Sequence, residues 1–157
     1  MIFVNYLIDE EMKIYHIPPD AFTTHPLKDA LVKIRTQVFI EEQNVPVSEE
    51  YDGFDNDSEH FVLVNEDDQA IGCARLRMLP NCAKIERMAV CASERSKGLG
   101  SHLLKHLLDR LKDHPKPIVL NAQVQVTRFY EKFGFFTEGA PFEDAGIMHY
   151  KMRLHRD

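Results

Sequence analysis

Glu94-Arg95-Ser96-Lys97-Gly98-Leu99-Gly100-Ser101 joins a strand-like run, Ala83 to Val90, to a leucine-rich segment, Gly98 to Lys112, and the reading of this junction decides the fold. Downstream of it, Leu99, Leu103, Leu104, Leu107, Leu108 and Leu111 recur at helical spacing while Lys105, Asp109 and Lys112 fall on the other side, which predicts an amphipathic helix. Two glycines one residue apart at a helix start let the backbone curl, so that successive N–H groups face one concavity. The unsatisfied amides and positive dipole end of the helix add to it, and the result suits a phosphate or pyrophosphate. Arg95 and Lys97 bring positive charge to the same place; a plain strand-to-helix turn with a solvated basic pair would use the same residues. A Walker A loop is excluded because Lys97 precedes Gly98, and the dinucleotide fingerprint G-x-G-x-x-G fails at Leu103.

Working outward, Lys13 to Ile17 reads as a strand that Pro18 and Pro19 end. A helix opens at Pro26, with Thr24 or His25 as its cap and Leu27, Ala30, Leu31, Ile34, Val38 and Phe39 on its apolar face. The stretch to Glu59, broken by Pro46 and Gly53, is a loop or short-helix segment. A meander follows: Phe61 to Val64, a turn over Asn65 to Gln69, Ala70 to Leu79, and Ala83 to Val90. Beyond the leucine-rich helix, Pro115 and Pro117 precede Ile118-Val119-Leu120, a run suited to a strand buried on both faces. A short helix carries Val126, Phe129, Tyr130 and Phe133 on one stripe and stops at Gly134, and Ile147 to Leu154 is a final strand. The order β-α-β-β-β-α-β-α-β is a mixed α/β domain over residues 13–157; residues 1–12, where Met12 offers a second start, read as a candidate N-terminal extension.

At 157 residues and 44% hydrophobic content the chain can bury a core. Nineteen Lys and Arg stand against 25 Asp and Glu, a net charge of −6, which argues against a nucleic-acid partner. The imbalance is local: Glu41, Glu42, Glu49, Glu50, Asp52, Asp55, Asp57 and Glu59 lie between Ile40 and Glu59, where there is no Lys or Arg. Cys73, Cys82 and Cys91 form no zinc or redox spacing, so no metal is expected and a reducing compartment fits. No basic n-region leads the apolar start and no run approaches the roughly 20 apolar residues of a membrane span. The expectation is a cytoplasmic protein with no membrane partner.

Four stretches in register resemble one family. Ile85-Glu86-Arg87-Met88-Ala89-Val90, Arg95-x-x-Gly98-x-Gly100, Leu120-Asn121-Ala122-Gln123 and Phe129-Tyr130-Glu131-Lys132-Phe133-Gly134-Phe135 are similar, in order and spacing, to the cofactor half of the GCN5-related N-acetyltransferases, the GNAT family. V-F-x-x-E-Q-N-V-P from Val38 to Pro46 and P-F-x-x-A-G-I-x-H from Pro141 to His149 resemble its ElaA/YjcF-like branch. The resemblance implies a mixed, mostly antiparallel sheet splayed between two central parallel strands, with flanking helices. It implies acetyl-CoA as donor and direct attack by a primary amine in a ternary complex.

By the same resemblance Met88, Ala89 and Val90 would hold the pantetheine arm, the Met88 or Ala89 amide serving as oxyanion donor. Arg95, Ser96, Lys97, Gly98, Leu99, Gly100 and Ser101 would hold the pyrophosphate, and Asn121, Phe129, Tyr130 and Phe133 would complete the cofactor site. Tyr130 is the candidate general acid, since a phenol keeps its proton at neutral pH; packing in the core is its other use. Asn121 suits the pantetheine, an ordered water or a cap on the next helix. Glu86 is a candidate base or a cross-sheet partner of Arg75 or Arg77, and His60 and His149 are further candidate bases. On the acceptor side stand Phe39, Glu42, Gln43, Asp52, His60 and His149. Glu41, Glu42 and Asp52 would draw a cationic amine, either a small molecule or a peptide. The resemblance also admits a homodimer, which no stretch of sequence marks.

Two other functions fit parts of the chain. Arg35-x-x-Val38-Phe39, Asp52-x-x-Asp55, His60-Phe61-Val62-Leu63 and Ile71-Gly72-Cys73-Ala74-Arg75-Leu76 look like the N-terminal half of acyl-homoserine-lactone synthases, although the chain has no Trp at all. A CoA-binding regulatory module without catalysis would keep the same glycine loop.

Overall fold

The computed structural model describes residues 12–156, and the candidate extension falls almost wholly outside them. One seven-stranded sheet runs in the order β1-β2-β3-β4-β5-β7-β6. Its strands are β1 (Lys13–Ile17), β2 (Glu59–Val64), β3 (Ala70–Met78), β4 (Ala83–Val90), β5 (Ile118–Gln123), β6 (Phe135–Asp144) and β7 (Ile147–Leu154). Every neighbouring pair is antiparallel except β4 with β5. Helices α1 (Lys28–Arg35), α2 (Val47–Glu50), α3 (Leu99–Arg110) and α4 (Thr127–Glu131) flank it, which is the splayed, mostly antiparallel architecture that the resemblance implied.

The two-residue period of a strand sends alternate side chains to opposite faces, and both faces here are covered. Phe61, Leu76, Ile85, Ile118 and Leu120 pack with the α3 leucines Leu103, Leu104, Leu107 and Leu111 on one side. Val62, Val64 and Cys73 pack with Leu31, Ile34 and Val38 from the α1 region on the other. This explains why all six residues of β2 are buried. Each fully buried leucine contributes about 1.5–3 kcal/mol, so the α3 stripe alone anchors the helix that carries the glycine loop.

Three features depart from the sequence reading, and one choice that it left open, the helix cap, falls to His25. The first helix keeps α geometry only to Arg35 and then widens into a π-helical turn over Thr36–Glu42. Such widened turns concentrate at functional sites, and this one presents Phe39 and Gln43 to the cavity described below. His25, rather than Thr24, serves the helix start, its Nδ1 accepting the Leu27 N–H at 3.1 Å. Strand β5 continues through Asn121 to Gln123. Strand β6 was not expected: Gly139 and Pro141 look like breaks, but an edge strand tolerates both, and a bulge between Glu138 and Phe142 accommodates them.

Candidate active site

The parallel pair β4–β5 holds for only three steps, Ala83 with Ile118, Lys84 with Val119 and Ile85 with Leu120. Beyond Ile85 the strands part. β5 stays with β7, placing Asn121 opposite Lys151 and Gln123 opposite His149, while β4 stays with β3. The β3–β4 register slips there, Arg75 facing Glu86 but Cys73 facing Ala89, so β4 carries one extra residue. Arg87 takes that slack at φ +53°, a left-handed conformation costing a non-glycine residue about 1–2 kcal/mol. The bulge turns β4 away from β5 and opens a V. A cavity of about 660 Å³ fills the V, walled by Ile85 to Val90, Leu120 to Gln123, Phe129 and Tyr130.

At one end of the cavity lies the glycine loop. A 3₁₀ turn over Ala92–Glu94 leads into residues alternating into the left-handed region, Ser96 at φ +65° and Gly98 at φ +78°. The first bond of α3 runs from the His102 N–H to the Gly98 carbonyl at 3.1 Å, so the amides of Leu99, Gly100 and Ser101 point out of the helix end. A Cβ at Gly100 would sit 3.5 Å from the Phe129 ring, in ordinary contact. The two basic residues are already engaged: Arg95 bonds Glu42 at 2.9 Å and the Val90 carbonyl at 3.0 Å, and Lys97 bonds Glu94 at 2.9 Å. Lys97 is not part of the cavity wall. The loop's attraction for an anion therefore rests chiefly on backbone amides and helix dipole, an arrangement that fits a pyrophosphate.

Tyr130 occupies the opposite wall. Its hydroxyl lies 3.7 Å from Met88 Sδ, bridging α4 to the end of β4. Its ring meets Phe129 and Phe135 edge-on at 5.0 and 6.0 Å. Burial pushes the phenol up to about 12, so it holds its proton across neutral pH. Asn121 is exposed to the cavity and neither the 3₁₀ turn Val124–Val126 nor α4 has a side-chain cap, which leaves it available there. Phe133 instead packs behind Phe129 at 5.6 Å, outside the wall.

Glu86 reaches the cavity, yet its carboxylate is the hub of an ion-pair network. Arg75 donates through Nε at 2.9 Å and Nη2 at 2.5 Å, and Arg77 and Lys84 approach at 3.4 and 3.2 Å. Burial opposes ionisation, but these cations prevail and hold the carboxyl below its usual range. Such a group is a poor proton acceptor, and the cross-sheet pairing with Arg75 and Arg77 is its observed role.

The acidic stretch divides in two: Glu41, Glu49 and Asp57 are exposed, whereas Glu50, Asp52 and Asp55 enter a network of arginines. Glu50, 2% exposed, bonds Arg35 at 2.6 Å and Arg87 at 3.0 Å. Asp52 bonds Arg75 at 2.7 Å and Arg87 at 3.2 Å; Asp55 joins the two fully buried guanidiniums of Arg35 and Arg75 at 2.7 and 3.0 Å. Every carboxylate of this set meets at least two cations. Burial notwithstanding, the arginines hold Asp52 and Asp55 below the ordinary carboxylate range, whereas for Glu50 burial prevails and pushes it up. Arg87 also donates to the Glu49 and Glu50 carbonyls, so the network grips the strained residue of the bulge.

Of the acceptor-side expectations, Phe39, Gln43 and His149 line the cavity. Glu42, Asp52 and His60 do not: Glu42 faces Arg95, Asp52 faces the arginines, and His60 is fully buried. His60 stacks on Phe22 at 4.7 Å and its Nε2–H donates to the Asp55 carbonyl at 2.8 Å. Burial lowers its pKa, which keeps it neutral and structural. Arg87, Glu49, Asp144 and the Gln123–Gln43 side-chain bond at 2.8 Å, which ties β5 to the π-helical turn, were not anticipated. Gln43 was already an acceptor-side candidate; Arg87, Gln123 and Asp144 lay inside quoted motifs, Glu49 did not, and nothing in their spacing marked them.

The model of the acetyltransferase (GNAT) domain family matches residues 24–156. The chain belongs to the GNAT family. YjcF of Bacillus subtilis, an uncharacterized N-acetyltransferase, is 41% identical over 128 residues, covering 80% of this chain and 90% of that one. Among solved structures, Escherichia coli ElaA superposes with a TM-score of 0.80 at 25% identity, covering 92% of this chain and 99% of its own. An acyl-CoA N-acyltransferase from Pseudomonas aeruginosa gives 0.79 at 26% identity over the same shares. The acyl-homoserine-lactone synthase LasI (TM-score 0.71, 16% identity) and the Tetrahymena GCN5 histone acetyltransferase domain in complex with coenzyme A (0.65, 19%) share the fold alone.

Proposed function

We propose that this GNAT chain transfers an acetyl group from acetyl-CoA to a primary amine by direct attack in a ternary complex. The observation that carries the proposal is the V between β4 and β5, with an amide cradle at one end and the Tyr130 hydroxyl in its wall. The CoA bound by the distant GCN5 neighbour and the acyl-CoA in the name of the Pseudomonas relative support the same donor. Bound acetyl-CoA supplies the thioester, an electrophilic carbonyl with a thiolate leaving group.

The chain supplies the rest. Amides from Ser96 to Ser101 hold the pyrophosphate, and the part of β4 that has left β5, with Asn121 and Phe129, receives the pantetheine arm. The Ala89 N–H is engaged by Cys73 of β3, so the Met88 amide, at the bulge, is the one that stabilises negative charge on the acyl oxygen, a contribution of about 3 kcal/mol at comparable acyl-transfer sites. Tyr130 Oη gives its proton to the departing sulfur. Closing both partners into one cavity supplies much of the acceleration by orientation. The Glu49 and Asp144 carboxylates line the cavity and form no ion pair among the described residues, which favours a cationic amine, on a small molecule or a peptide.

Thiol release from acetyl-CoA, measured across a panel of mono- and polyamines and lysine peptides, tests the proposal. Turnover on at least one cationic amine, reduced about a hundredfold in Tyr130→Phe with acetyl-CoA affinity retained, is the expected result. Tight acetyl-CoA binding with no turnover on any amine would leave a regulatory module instead.

A further inference from the structure

We propose that His149 is the general base that takes the proton from the attacking amine, through Nε2. The proposal rests on the acetyl-transfer reading above and deepens it, because that reading leaves the proton acceptor open.

The geometry fixes the tautomer. His149 Nδ1 lies 2.7 Å from the Ile147 carbonyl, which can only accept, so Nδ1 carries the hydrogen and Nε2 the lone pair. The ring stacks on Phe142 at 5.9 Å and 23°, which holds its plane. Pairing of β7 with β5 sets His149 opposite Gln123, at the wide end of the V, and the residue lines the cavity. An oriented imidazole, with Nε2 as the nitrogen left to take a proton, is therefore presented in the cavity wall.

The other bases that the sequence suggested, and buried Glu50, are spent. Glu86 is held ionised among Arg75, Arg77 and Lys84, Glu50 is locked between Arg35 and Arg87, and His60 is outside the cavity. On β6 the ionisable neighbours of His149 are Glu143 and Asp144, in register with Met148 and Ile147. β5 brings Gln123 and the 3₁₀ turn Val124–Val126 brings no ionisable group; Glu49 and Arg87 share the cavity from α2 and β4.

The step balances within the chain. The entering alkylammonium first gives a proton to His149 Nε2; as the C–N bond then forms and the C–S bond breaks, the Tyr130 Oη proton goes to sulfur and the nitrogen's second proton goes to the phenolate. Solvent removes the proton from the imidazolium, which resets both groups, and an acceptor that enters neutral needs no such base.

His149→Asn is the informative variant, since its amide N–H can replace the Nδ1–H bond to Ile147 while the Nε2 lone pair is lost. The measurement is kcat/KM for an alkylamine against pH, with hydrazine, mostly neutral at about pH 9, as a second acceptor at that pH and calorimetric acetyl-CoA affinity as a control. The expected result is loss of about a hundredfold or more with the alkylamine at neutral pH, disappearance of the acid limb, near-normal rates with hydrazine and unchanged acetyl-CoA affinity. Wild-type rates and an intact acid limb in the variant would overturn the assignment while leaving acetyl transfer standing. Equal losses with hydrazine would also overturn it, marking His149 as structural. Absence of turnover in the wild type would overturn the acetyl-transfer reading and this assignment together.

Discussion

Asp52→Asn separates two roles for the acidic stretch. Its carboxylate binds Arg75 at 2.9 and 2.7 Å and Arg87 at 3.2 Å, linking the buried network to the bulge. Removing one partner of a fully buried pair costs about 3–5 kcal/mol. The Asp52 side chain is 23% exposed, so solvent screens part of this and about 2–3 kcal/mol is expected. For a chain of this size that lowers Tm by about 4–12 °C. Arg87 keeps its ties to Glu50 and to the Glu49 carbonyl, so only a share of the grip on the bulge is lost. If about 0.5–1 kcal/mol of oxyanion alignment goes with it, kcat falls about two- to fivefold. Differential scanning fluorimetry and thiol-release kinetics measure both. KM for a cationic amine, and its dependence on salt, should not change. An unchanged Tm and kcat with a raised amine KM would refute the network argument and restore Asp52 as an acceptor-attracting charge.

The same carboxylates set the acid limit of stability. Asp52, Asp55 and Glu86 are held below their unfolded values, so their contribution is complete above about pH 4 and lost as pH falls through the folded values. Glu50, shifted upward by burial, opposes this in part, since its protonation favours the folded chain. Tm followed from pH 7 to pH 2 should decline gently from about pH 6, because the unfolded chain protonates His60 more readily than the folded one, and then drop steeply below about pH 4; a Tm with no steeper fall below about pH 4 would contradict it. The two loop glycines should also part company. Gly98→Ala forces a side chain into φ +78° and should lower stability by about 1–2 kcal/mol as well as acetyl-CoA affinity. Gly100→Ala meets only the Phe129 ring at 3.5 Å, so Tm should hold while affinity falls; full affinity in both variants would exclude the amide cradle.

Much of the fold was legible because its signals are local. The α3 leucines, the glycine loop and the β2–β4 meander declare themselves within a few residues of their neighbours. Strand β6 was missed because its hydrogen bonds come from one side only, and its Gly139 and Pro141 read as punctuation. The π-helical turn was invisible because Leu31, Ile34 and Val38 keep ordinary helical spacing through it. The acidic stretch was misread in part, for a different reason. A run without Lys or Arg looks solvated, yet Glu50 and Asp55 are 15 and 20 residues from Arg35, and Asp52 is 35 residues from Arg87. Charge counts carry no information about partners that the sheet brings together. His149 was one of several histidines in the sequence; the Nδ1 bond to Ile147 and its place in the cavity single it out.

The most direct test of the account is a crystal structure of the protein with CoA bound. The account predicts the pyrophosphate on the amides of Ser96 to Ser101, the pantetheine arm between β4 and Asn121, and the thiol beside Tyr130 Oη. CoA bound outside the V, or with its thiol pointing away from Tyr130, would contradict it.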